Sequence, residues 1–174
     1  MAAPSIKELR DDVRRRQPIA VEVTVEAGAW PPENRLAVLC RRAVDAAQAE
    51  LGLRLPVTGS EVAVTFTDDA HVRKLNAEWR GKDSATNVLS FPAFTPDRGG
   101  PVPPLLGDIV LADRTVALEA ALAGKSLDHH ITHLVVHGLL HLIGYDHETD
   151  EDGDEMEAME ARILARLAIP DPYA

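Results

Sequence analysis

Two histidines one helical turn apart, then a glycine and a third histidine, constrain this chain more than any other feature. The run is His137-Gly138-Leu139-Leu140-His141-Leu142-Ile143-Gly144-Tyr145-Asp146-His147. Residues 131–143 read as helix, so the imidazoles of His137 and His141 project from one face and can share one metal ion. Gly144 predicts the end of that helix, because a glycine there permits the left-handed turn that brings His147 back toward the other two. Three neutral imidazoles at about 2.0–2.1 Å leave the fourth position of a tetrahedral ion to water, as in catalytic zinc sites. The spacing therefore predicts His137, His141 and His147 as metal ligands, one Zn2+ per chain, and hydrolysis as the reaction. Three imidazoles also suit nickel or copper. His133 offers an alternative trio with His137 and His141. Positions eight apart on a straight helix are separated by about 12 Å, too far for one ion, so only two consecutive members bind together. The reversal at Gly144 favours the later pair, leaving His133 as a supporting or packing residue and His129 and His130 as surface groups near the helix start.

The same spacing, with a glutamate directly after the first histidine, is that of a class of zinc peptidases in which the glutamate serves as general base. Here that position is Gly138. The base is missing, and the glycine is expected to clear space beside the ion, so peptide hydrolysis is the weaker reading.

The rest of the chain reads as alternating strands and helices. Residues 19–25, 62–66, 87–91 and 107–112 have strand character. Pro31-Pro32 open a helix that runs to about residue 51. Asp68 and Asp69 suit the start of another, with Val72, Leu75 and Trp79 on one apolar face until Gly81. A third helix covers residues 114–123, the histidine helix follows, and a last one spans about 152–167 with Met156, Met159, Ile163 and Leu167 as its core stripe. The stretch 95–104, rich in proline and glycine, is expected to be a mobile loop. This pattern predicts an α/β (α+β) fold: a small mixed four-stranded sheet covered by helices, with the three-histidine site on a helix and the following turn. A chain of 174 residues with 45% hydrophobic content can bury one core. We expect a mobile extension over residues 1–18 and one metal-dependent domain over residues 19–170. The single cysteine, Cys40, sits among apolar neighbours and reads as a core-facing thiol. The apolar runs are too short for a membrane span and no signal core is visible, so a cytoplasmic location is expected.

Four blocks in order across residues 60–165 resemble the YbeY family of bacterial endoribonucleases, also called rRNA maturation factors. They are Thr67-Asp68-Asp69 through Leu75-Asn76; Arg80-Gly81-Lys82-Asp83 with Thr86-Asn87-Val88-Leu89-Ser90-Phe91-Pro92; Leu106-Gly107-Asp108-Ile109; and the histidine run. Ala85 departs from the family's usual proline at that position, which touches no chemical group but bears on the rigidity of the loop. The resemblance implies an endoribonuclease that prefers single strands and acts in 16S rRNA 3′-end maturation and ribosome quality control. Its substrate is then single-stranded RNA and rRNA precursor, and its partners the ribosomal small subunit or assembly factors. The resemblance places metal ligation on His137, His141 and His147 and a catalytic arginine on Arg80. That assignment is chemically sound, because a guanidinium meets two phosphate oxygens in a fork and offsets charge in the transition state. Asp146 is expected to hold the turn or orient an imidazole. No residue stands out as general base, so attack by metal-activated water or by the RNA 2′-hydroxyl is the expectation.

A net charge of −10 sits awkwardly with RNA binding, but its distribution helps. Residues 1–100 hold 14 Lys or Arg and 14 Asp or Glu, whereas residues 101–174 hold 4 and 14. The acids between residues 146 and 160 read as the solvated first turns of a helix, favourable to its dipole. RNA is then expected from the side of Arg73, Lys74, Arg80 and Lys82. The alternative is a ribosome-assembly or RNA-binding factor whose zinc only holds the fold. Arg80→Ala separates the two, since only a catalytic site loses cleavage while the protein stays folded.

Overall fold

A computed structural model describes residues 4–8 and 17–174. Much of the expected N-terminal extension therefore lies outside the described residues. From residue 20 the order is β1 (Ala20–Val25), α1 (Glu33–Leu51), β2 (Glu61–Thr67), α2 (Asp69–Arg80), β3 (Val88–Pro92), β4 (Leu105–Ala112), α3 (Asp113–Leu122), α4 (Leu127–Leu142) and α5 (Asp150–Ala165). The strands form one sheet in the order β1-β2-β4-β3. β1 and β4 run parallel to β2, and β3 closes the far edge antiparallel to β4. The mixed four-stranded α/β fold expected from the sequence is the fold observed.

Period-two patterning decides which face each strand buries. Val62, Val64 and Phe66 of β2 and Ile109 and Leu111 of β4 join the main core with α1, α4 and α5, and all are essentially inaccessible. The alternate residues Val110 and Ala112 pack with Leu89 and with Val72 of α2 on the opposite face. α4 lies across the sheet as the most enclosed helix, with ten buried residues among its sixteen. Burying polar groups on such a helix is costly unless they are paired, and His130, His133, His137 and His141 each make at least one specific contact. Met156 and Met159 of α5 are core residues, as their stripe predicts. Cys40 is fully enclosed in α1, and burial pushes its thiol up to about 12.

Helix ends follow their caps. Asp68 accepts the His71 amide at 2.8 Å, Ser126 that of His129 at 3.1 Å, and Thr149 that of Asp152 at 3.1 Å. Ser126 explains why α4 begins four residues before the sequence reading placed it. Other boundaries differ by one or two residues. Trp79 is a clear departure: it was expected on the apolar face of α2, yet it stands 68% exposed one residue before the helix ends at Arg80. Its ring stands edge-to-face with Phe91, with centroids 6.2 Å apart. Among the described residues, no helix is long and apolar enough to cross a membrane.

Candidate metal centre

α4 carries His137 and His141 on the side where α5 and the Tyr145 turn approach. Their Nε2 atoms lie 3.1 Å apart. The chain leaves the helix through Gly144, whose φ of 105° only glycine adopts without strain, and returns His147 to the pair. The ring centroids of His147 are 6.0 Å from His137 and 5.0 Å from His141. One nitrogen from each histidine falls within 4.8 Å of the others, so the three could hold a metal ion.

The far nitrogens explain why the near ones converge. His141 Nδ1 donates to the Tyr145 carbonyl at 3.0 Å, and His137 Nδ1 lies 2.5 Å from Glu160 Oε1. A carbonyl only accepts, so the His141 proton sits on Nδ1 and its Nε2 presents a lone pair. Glu160 does the same for His137. Burial pushes the Glu160 carboxyl up, but hydrogen bonds from His133 and His137 outweigh it and hold the group at about 2. An ionised carboxylate only accepts, so His137 Nδ1 carries the proton that points at Glu160, and Nε2 is the atom turned toward His141. His141 is pushed down to about 4, first by burial and then by the neighbouring charges of His137 and His147, with Arg80 adding to the effect. His141 is thereby favoured in its neutral form, the form a cation requires.

Glu160 was missed at the sequence level. It stands at the end of an acidic run read as a solvated helix face, but it is completely buried. Its other oxygen, Oε2, lies 2.8 Å from His133 Nε2 and accepts the Tyr173 hydroxyl. The 3.6-residue period of α5 does signal it, because Met156, Met159, Glu160 and Ile163 fall on one face. Formal charge concealed it. His130 is a second correction: it is buried rather than a surface group, with Nε2 2.8 Å from Glu119, while His129 is exposed as expected.

Gly138 also plays a different part from the one expected. It does not clear space beside the histidines. A Cβ there would point at the sheet, 2.9 Å from Ile109 Cγ2 and 3.1 Å from Ser90 Oγ. The glycine lets α4 settle onto β4 and β3, and Ser90 Oγ donates to the Gly138 carbonyl at 3.2 Å. A glutamate has no room at this position. The stretch 95–104, expected as a mobile loop, is fastened to the histidine turn. Its Arg98 guanidinium lies 4.2 Å from the centre of the Tyr145 ring and pairs with Glu155. A Cβ on Gly144 would meet the Arg98 amide nitrogen at 2.7 Å. Asp146 holds the turn, accepting the Glu148 amide at 3.1 Å.

Arg80 reaches the same corner from α2. Its exposed side chain donates from Nη2 to the Ser90 carbonyl at 3.2 Å, on the edge strand beside Gly138. Arg73 is committed to Asp83 at 2.7 Å, while Lys74 and Lys82 are exposed.

Comparison with known proteins agrees with this geometry. Residues 23–168 match the family model described as Endoribonuclease YbeY. The chain belongs to the YbeY family. Curated YbeY relatives include Endoribonuclease YbeY of Rhizobium meliloti, 51% identical over 88% of this chain and 94% of its own length. Those of Agrobacterium fabrum and Rhodopseudomonas palustris are 49% and 52% identical over 88% of this chain, covering 94% and 80% of theirs. The solution structure of TM1509 from Thermotoga maritima shares the fold, with a TM-score of 0.53 at 22% identity over 85% of this chain and 91% of that one. Membership of YbeY supports RNA endonuclease activity for this chain.

Proposed function

We propose that this protein is a zinc-dependent endoribonuclease that hydrolyses single-stranded RNA, with rRNA precursor as its substrate in 16S 3′-end maturation and ribosome quality control. On this reading it works in the cytoplasm with the small subunit or its assembly factors, and residues 19–170 act as one catalytic unit. The observation that carries the proposal is the convergence of three imidazoles, two of them held at Nδ1, with an exposed arginine at the same corner. Three imidazoles suit zinc chemically, and their ligand atoms lie within 4.8 Å of one another. At bond lengths of about 2.0–2.1 Å, two nitrogens on a tetrahedral ion stand about 3.3 Å apart, close to the 3.1 Å between His137 and His141.

When bound, the ion supplies a water of lowered pKa and Lewis-acid polarisation of a phosphoryl oxygen. The protein's own groups do the rest. His137, His141 and His147 would hold the ion, and Arg80 would offer its fork of donors to the non-bridging phosphate oxygens. Lys74 and Lys82 add local attraction for the RNA backbone despite the overall negative charge. The excluded volume at Gly138 supports ester rather than peptide hydrolysis, because the glutamate base of the peptidases cannot be accommodated there.

The test pairs zinc content with cleavage of a labelled single-stranded RNA by wild type, His141→Ala and Arg80→Ala. About one zinc per chain, with cleavage lost in both variants while Arg80→Ala keeps metal and fold, is the expected outcome. Unchanged cleavage in either variant would identify a contaminating nuclease and favour an assembly factor with structural zinc. A 2′,3′-cyclic phosphate at the cut end would mean attack by the RNA 2′-hydroxyl rather than by water.

A further inference from the structure

Glu160 is a fully buried carboxylate on α5 that touches three donors from two other parts of the chain. His137 Nδ1 meets Oε1 at 2.5 Å, His133 Nε2 meets Oε2 at 2.8 Å, and the Tyr173 hydroxyl donates to Oε2. An isolated buried carboxylate is costly, and it persists here only because hydrogen bonds surround it. Tyr173 belongs to the segment that follows α5. That segment is held in place: the Pro172 carbonyl accepts Lys125 Nζ at 3.2 Å, and the Tyr173 ring stands edge-on to His133 with centroids 5.7 Å apart. Among the described residues His133 Nδ1 has no partner, and its Nε2 lies 2.8 Å from Glu160 and 3.3 Å from the Tyr173 hydroxyl.

We propose that Glu160 and Tyr173 form a positioning pair that locks the tautomer and orientation of His137, so that the segment after α5 completes the metal centre without touching the ion. The inference rests on the reading of His137 as a ligand. Glu160 has four lone-pair directions, and the three donors occupy most of them. Tyr173 and His133 together fix Oε2, which leaves Oε1 aimed at His137. A ligand histidine whose other N–H is held by a carboxylate is a stronger and better-aimed donor, and losing such a partner typically costs about 10–100-fold in metal affinity. Sequence spacing conceals this arrangement because Tyr173 lies 36 positions beyond His137.

The experiment measures zinc affinity by chelator competition for wild type, Glu160→Gln and Tyr173→Phe, together with the imidazole 15N signals and melting temperature of the metal-free proteins. Wild type is expected to bind zinc and to show His137 protonated on Nδ1. Glu160→Gln should bind about 10–100-fold more weakly. Tyr173→Phe keeps the ring and removes only the hydroxyl, so it should stay folded, lose affinity several-fold and broaden or shift the His137 signals. Zinc affinity and His137 signals unchanged in Tyr173→Phe would overturn the role of Tyr173. A lowered metal-free melting temperature with unchanged affinity in Glu160→Gln would reduce Glu160 to a structural residue. Absence of zinc binding by wild type would instead sink the metal reading itself.

Discussion

His137 and His141 are held at the far nitrogen of each ring, whereas Arg80, at the same corner, makes one hydrogen bond among the described residues. The histidines sit on a helix buried on nearly every side, and their Nδ1 atoms are fixed by Glu160 and by the Tyr145 carbonyl. Arg80 stands exposed at the end of α2 and, among the described residues, is held by a hydrogen bond of 3.2 Å to Ser90. The difference matches what each group is asked to do. Metal ligands gain from pre-set geometry, because any freedom they keep is lost on binding. A cation that follows a phosphate through reaction gains from reach, and weak tethering leaves its five donors available.

Breaking the rigid side should have the largest effect. His141→Ala removes a ligand, and cleavage should fall by at least ~10³-fold, the rate equivalent of several kcal/mol of lost stabilisation by the ion. Zinc content after dialysis checks whether metal is lost with it. Breaking the flexible side should cost less: Arg80→Ala is expected to lower kcat by about 10²–10³-fold, comparable to removing one transition-state donor, with zinc content and melting temperature unchanged. If the two variants lose metal equally, the distinction between anchored and reaching groups fails.

Two stability measurements sharpen the comparison. Gly138→Ala places a methyl group 2.9 Å from Ile109 Cγ2 and 3.1 Å from Ser90 Oγ. Lifting α4 off the sheet should cost about 1–3 kcal/mol, seen as a lower melting temperature of the metal-free protein. Thr149→Ala removes the cap of α5, the helix that carries Glu160, and should cost about 1 kcal/mol, which is about 2–4 °C in a chain of this size.

The sequence by itself determined the elements and their order. Period-two strands, the cap at Asp68, and the helix-ending glycines at 81 and 144 act over a few residues, so local chemistry suffices to place them to within about a turn. It also pointed to His137, His141 and His147, because one helical turn and one reversal carry the whole constellation. What only the tertiary structure decided depends on partners far along the chain. Trp79 has an apolar side chain and helical spacing, yet among the described residues only the Phe91 ring is paired with its own, and it stays 68% exposed. Glu160 has a charged side chain in an acidic run, yet α4 and the segment bearing Tyr173 enclose it. Gly138 reads as room for a metal until the sheet is laid beneath it. Burial is a property of the assembled layers, and a side chain's formal polarity shows only what that burial costs, while the partners brought by the fold decide whether it occurs.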